Sequence, residues 1–207
     1  MKSVYLFGLV LLMACHQGKS DKTTSQDSVV KEVVETKPEF TIPQTGENVV
    51  VEGAIGLVTT SENYEFGDTI NIFDKEGQVQ SSIVITDENQ VLSLKCLSKD
   101  DSLYKVQYEN DVIGFIPKNE KGIIFQTWEE HILSVFSVGF DEVSNPLLES
   151  PSESSKKAYY DKDGFYHPNQ MKGDWLQVKW GAEGDWEYGW IRWKDGKKLL
   201  VELYYLA

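Results

Sequence analysis

The residues able to do chemistry are few. Cys96 lies in Val91-Leu92-Ser93-Leu94-Lys95-Cys96-Leu97 and shares the strand parity of Leu92 and Leu94. That placement reads as a core thiol rather than a nucleophile, because thiolate chemistry needs a helix start and a histidine base beside the sulfur. His131 is expected on the surface of a short helix, and His167, in Tyr166-His167-Pro168, in a loop. Neither sits in CxxC or HxxxH spacing, so no metal site is expected. The Ser, Thr and Gly runs offer no phosphate loop and no nucleophile elbow. The chain is therefore expected to be non-enzymatic, with neither cofactor nor metal.

Two further patterns bear on binding. Asp161-Lys162-Asp163-Gly164 resembles half of a calcium loop, but the glycine follows the second aspartate directly. A third oxygen ligand and a distal glutamate would be needed, so a hairpin turn is the expected reading. Five of the six tryptophans fall between Trp175 and Trp193. Rings give large contact area at low entropic cost, which suits a groove for a peptide, a peptidoglycan stem or a glycan. The same rings would equally fill the core of a small barrel.

The elements that position these residues follow from composition and pattern. The 207 residues carry 20 Lys+Arg against 33 Asp+Glu, a net charge of −13, and Arg192 is the only arginine. So acidic a chain cannot neutralise a run of phosphates, which excludes nucleic acid as a partner. Two cysteines make neither a disulfide framework nor, unaided, a structural zinc site.

At the N-terminus, Lys2 precedes an apolar run from Val4 to Ala14. This run is too short to span a bilayer and has the length of a signal-peptide core. Leu12-Met13-Ala14-Cys15 resembles the bacterial lipobox. The resemblance implies that residues 1–14 are a cleaved signal, that Cys15 is the lipid-attachment residue, and that its thiol and new amine are acylated. Cleavage would leave 19 basic against 33 acidic residues, or −14. An aspartate directly after the cysteine retains some lipoproteins at the inner membrane. His16 stands there instead, which implies outer-membrane delivery, facing the periplasm. Residues 15–46 are rich in Ser, Thr, Lys, Gln and acids and read as a flexible tether with a reach of roughly 30 Å. Asp27-Ser28-Val29, Asp68-Thr69-Ile70 and Asp101-Ser102-Leu103 look like the acceptor sequence of a bacterial O-glycosylation system, with Ser28, Thr69 and Ser102 as acceptors.

From Val49 onward short strands alternate with turn residues, the signature of small β barrels or sandwiches. The pattern occurs twice. Leu103-Tyr104-Lys105-Val106 matches Trp175-Leu176-Gln177-Val178, and Ile113-Gly114-Phe115-Ile116 matches Tyr188-Gly189-Trp190-Ile191. Ser98 to Asp101 is set against Met171 to Asp174, and Thr69 to Phe73 against Ser144 to Leu148. Recurrence in order and spacing predicts a duplication. Thr127 and Glu130 predict a capping box opening a short helix between the copies. The apolar tail Leu199 to Leu206 predicts a closing strand or a terminal helix.

Gly173-Asp174-Trp175-Leu176-Gln177-Val178, followed by Tyr188-Gly189-Trp190-Ile191, resembles the bacterial SH3-like domain. The first copy departs from that pattern, with Leu103 and Phe115 at the tryptophan positions. The resemblance implies an all-β chain: SH3-like domain 1 over 47–120, a connector with a short helix over 121–136, and SH3-like domain 2 over 137–207. Alternation along the strands puts Leu176, Val178, Trp180, Ile191 and Trp193 inward. It puts Trp175, Tyr188, Trp190 and Arg192 outward, as the expected ligand-binding group. The expected function is a non-enzymatic cell-envelope lipoprotein that binds a peptide, a peptidoglycan fragment or an envelope protein. The alternative is an acidic inhibitor or immunity-type lipoprotein that caps a basic envelope enzyme such as a lysozyme.

Overall fold

The computed structural model describes residues 49–206 apart from positions 62, 88 and 89. The expected signal over 1–14, the expected tether over 15–46, Cys15 and Ser28 lie outside the described residues. Thr69 and Ser102 are both described and exposed. No described helix is long and apolar enough to cross a membrane.

The chain is built mainly of strands. In order they are β1 Gly56–Thr60, β2 Thr69–Phe73, β3 Val79–Val84, β4 Ser93–Lys99, β5 Leu103–Tyr108, β6 Val112–Pro117 and β7 Ile123–Gln126. Helix α1 follows at Trp128–Ser134, then β8 Ser137–Gly139, β9 His167–Lys172, β10 Trp175–Ala182 and β11 Asp185–Arg192. The short strands β12 Lys194–Asp195, β13 Lys198–Leu199 and β14 Glu202–Tyr204 end the described chain. β1 to β7 form one antiparallel sheet in the order β3-β2-β6-β5-β4-β1-β7. No ladder among the described residues joins β3 to β7, so this sheet is open. The expected closed barrel is absent here, and in the second half three strands, β11-β10-β9, form the central sheet.

The same pairings recur between the halves. Val106 faces Gly114 across β5 and β6, and Val178 faces Gly189 across β10 and β11. β4 carries a bulge between Cys96 and Ser98, and β9 skips Asn169 at the equivalent step against β10. Val58 pairs with Leu94 and Phe125, while Val138 pairs with Tyr166 and Leu203. Phe73 bridges Phe115, and Leu148 bridges Trp190. A Cβ on Gly114 would meet Ile72 Cγ2 at 2.2 Å, and one on Gly189 would meet Leu147 Cδ1 at 2.8 Å. In both places an apolar side chain of the neighbouring segment crosses the glycine, so a Cβ there would force that side chain to move. The registers correct one sequence alignment by a residue. Lys99 faces Tyr104 where Met171 faces Leu176, so Lys99 and not Ser98 is the counterpart of Met171.

Two hydrophobic clusters lie in these halves. Val58, Ile70, Ile72, Cys96, Val106 and Ile116 belong to the first, and Leu176, Val178, Trp180, Ile191 and Trp193 to the second. β1 serves both. Leu57 enters the second cluster while the next residue, Val58, enters the first, as the two-residue period of a strand requires. The turn before it, with Val51 and Ala54 fully buried, also packs in the second cluster. There Glu52 N donates to Lys197 O at 2.7 Å, and Trp128 Nε1 donates to Ala54 O at 3.0 Å.

Helix α1 begins as its sequence predicts. Glu130 N donates to Thr127 Oγ1 at 3.2 Å and Thr127 N to Glu130 Oε2 at 2.8 Å, a complete capping box. His131 departs from expectation, because it is buried with Trp128 and Ile132. The spacing i, i+3, i+4 from Trp128 puts all three on one face. The tail forms a strand, β14, paired with β8.

Candidate functional site

The β10–β11 hairpin begins after a two-residue turn in which Gly173 takes a φ of 59°, a value glycine adopts without the steric cost other residues meet. Alternation along β10 and β11 then sorts the rings. Leu176, Val178 and Ile191 are fully buried, as is Trp193, whose Nε1 donates to Gly173 O at 2.9 Å. The outward set runs in cross-strand pairs: Trp175 opposite Arg192, Gln177 opposite Trp190 and Lys179 opposite Tyr188. Trp175 and Trp190 are half-buried, and Tyr188 is exposed. Thus all four residues expected to bind ligand share one sheet face.

That face is polar in detail. Gln177 Oε1 accepts from Asn169 Nδ2 and Gln170 Nε2, each at 2.7 Å. Lys179 Nζ stands 4.7 Å from the centre of the Trp186 ring. Arg192 is held by carboxylates within the chain, with Nη1 3.1 Å from Glu153 Oε1 and Nη2 3.4 Å from Asp195 and 3.8 Å from Asp174. Asp174 is further shared with Lys194. The guanidinium is therefore already matched by negative charge, which removes most of its pull on an anion.

The histidines and the thiol are placed by packing. His131 Nδ1 donates to Gln126 Oε1 at 2.7 Å, and its Nε2 accepts from Tyr205 OH at 2.9 Å. Burial depresses its pKa to about 4, so the ring is neutral at pH 7. The loop expectation for His167 is corrected. It opens β9, its Nδ1 lies 2.7 Å from Phe136 O, and its ring meets Phe136 edge-on. Cys96 is fully buried, and burial pushes its thiol pKa up to about 11. Iodoacetamide at pH 8 is expected to leave Cys96 unmodified in the folded protein and to label it in guanidinium. Peptide mapping checks this, and labelling of native Cys96 would contradict its burial.

A second place lies elsewhere in the same half and shares no residue with the hairpin face. It is a cavity of about 580 Å³ lined by β8, the 160–166 turn and β14. Its aromatic residues are Phe140, Tyr160, Phe165, Tyr166 and Tyr204, and its charged ones Asp141, Lys162, Asp163 and Glu202. Tyr160 and Tyr166 stack at 5.6 Å with planes 3° apart, and Phe140 meets both edge-on. Tyr166 OH donates to Asp161 O at 2.9 Å and accepts from Asp161 N at 2.7 Å, which ties the ring to the turn. Burial raises its pKa. Gly164 N closes a turn onto Asp161 O at 3.2 Å, but no strand pair among the described residues flanks it, so the turn is not the expected hairpin. Gly139 makes room for the Tyr204 ring, since a Cβ there would lie 2.9 Å from Tyr204 OH.

Sequence reasoning missed this cavity. Its rings come from three separated stretches, and no strand period links them. The available signal was the recurrence of adjacent aromatic pairs, Tyr159-Tyr160, Phe165-Tyr166 and Tyr204-Tyr205. In size the cavity falls within the usual range for small-ligand sites, and its mix of ring faces with a few polar groups is the usual chemistry of one. No family model, no curated protein and no solved structure matches the chain.

Proposed function

We propose that this protein is a non-enzymatic binding module of the cell envelope, lipid-anchored through Cys15, whose second half captures a peptide-like ligand. The carrying observation is the aromatic-lined cavity between β8, the 160–166 turn and β14. Ring faces and a few polar groups, held on paired strands, suit recognition without chemistry. We read the two halves as tandem copies of an SH3-like unit. The matched registers, the matched bulge and the two crossed glycines support that reading. The hairpin face with Trp175, Tyr188, Trp190 and Arg192 is the second surface on which a ligand would rest.

The test is capture from envelope extracts by residues 46–207, with Phe165→Ala and Trp190→Ala compared. Both rings are partly exposed, so each variant should keep its thermal melt within a few degrees. Loss of capture in the first places the ligand in the cavity, and loss in the second places it on the hairpin face. Capture insensitive to both would sink the proposal. A salt series divides it from the acidic-inhibitor alternative: aromatic capture should persist in about 0.5 M salt, whereas charge-steered capture should collapse.

A further inference from the structure

The charges lining the cavity are mostly negative. Three carboxylates line it, Asp141, Asp163 and Glu202, against one ammonium, Lys162. None of the three carboxylates lies in an ion pair among the described residues. The cations that do pair are engaged away from the cavity. Arg192 meets Glu153, Asp174 and Asp195, Lys194 meets Asp174, Lys121 meets Glu65 and Asp68, and Lys75 meets Glu76.

The local geometry keeps carboxylate oxygens available. Asp141 uses Oδ1 to accept from Val143 N at 2.8 Å and Ser144 N at 3.3 Å. Glu202 uses Oε2 to accept from Tyr204 OH at 2.6 Å. That bond also fixes the Tyr204 ring over Gly139 and raises the pKa of its phenol. Burial sorts the rings: Tyr166 is buried, Phe140 and Tyr160 are half-buried, and Phe165 and Tyr204 are exposed at the rim. Negative ring faces beside unpaired carboxylates are the arrangement that holds an organic cation. An anion would meet repulsion there, and a wholly apolar ligand would leave the carboxylates desolvated without a partner.

We infer that the cavity binds a short peptide through a basic side chain, whose charged head sits among Asp141, Asp163 and Glu202 with its stem against the Phe165 and Tyr204 rings. The inference rests on the binding-module reading and names the chemistry of its ligand. Lys162, exposed on the turn between Asp161 and Asp163, carries the competing charge.

The experiment is titration calorimetry on the full chain in detergent at low ionic strength, with acetyl-Gly-Lys-Gly-amide as probe and its norleucine counterpart as the neutral isostere. The lysine peptide should give saturable heat, and the norleucine peptide should bind about tenfold more weakly or worse. The double variant Asp163→Asn with Glu202→Gln should weaken the lysine peptide by about tenfold, and Lys162→Gln should tighten it. Phe66→Ala, which removes an exposed ring of the first half, should leave it unchanged. Equal affinity for the two peptides overturns the inference, as does absence of heat from the lysine peptide. The peptide comparison uses the unaltered protein, so it decides the matter even if the double variant fails to fold. Loss of binding in Phe66→Ala, or in Trp190→Ala with the double variant unaffected, also overturns the inference while sparing the binding-module reading. Absence of heat alongside successful envelope capture separates the two in the same way.

Discussion

Replacing Trp193 with alanine is expected to lower the unfolding free energy by about 3–5 kcal/mol, whereas Trp190→Ala costs about 1 kcal/mol or less. The two residues stand three apart on the same run of chain, yet they face opposite sides. Trp193 is fully buried in the second cluster, and its indole N–H is used by Gly173 O at the turn into β10. Truncation removes the ring, opens a cavity and leaves that carbonyl without its donor, so three costs add. Trp190 keeps its backbone bonds to Leu148 whatever its side chain, and its half-buried ring lies outward. Urea denaturation of both variants checks this, together with a fall of order 10 °C in the Tm of Trp193→Ala. Similar losses from both substitutions would refute the assignment of faces.

The second large effect depends on pH. His131 is neutral and buried, and its pKa of about 4 lies well below the ordinary 6.5. Below pH 6.5 the unfolded chain takes up a proton at this ring that the folded chain refuses. The stability it contributes is therefore full above about pH 6.5 and is lost as pH falls toward 4, for a total of about 3 kcal/mol. His131→Gln does not titrate. The stability gap between the unaltered protein and this variant should shrink by about 3 kcal/mol between pH 7 and pH 4, as measured by urea denaturation at each pH. A gap constant with pH would show that the ring titrates alike in the folded and unfolded chains, against its burial. Taking the difference between the two chains cancels the carboxylates, which titrate in the same range in both.

How much of this was legible depended on the range of the signal. The period of two along β10 and β11 marked Trp180 and Trp193 as inward and Tyr188 as outward, because one residue type after another reports its own face. The Thr127–Glu130 box marked the start of α1, because a cap is a contact three residues long. The four-residue matches have counterparts in the pairing registers, where Val106 faces Gly114 and Val178 faces Gly189 even though Leu103 and Phe115 stand at the tryptophan positions. His131 was misread because the partner that covers its ring, Tyr205, lies 74 positions away, beyond the reach of any local pattern. The open sheet was hidden for a related reason: closure depends on whether β3 and β7 meet, and no local pattern encodes that. The cavity was the least legible. It is assembled from the β8 stretch, a turn and β14, which supply one, three and one of its rings.

The shared strand β1 has a consequence for the order in which the molecule assembles. Val51, Ala54 and Leu57 come first in the described chain, yet their cluster partners are Trp128, Trp180, Trp193 and Val201. Glu52 Oε1 accepts from Leu199 N across 147 positions. Closing so long a loop costs conformational entropy that only the final contacts return, and such contacts slow folding. During synthesis these leading apolar residues have to wait, solvent-exposed, until the last strands are made. The earliest part of the fold is thus completed last, and the first half cannot finish its own inner boundary before the second half exists.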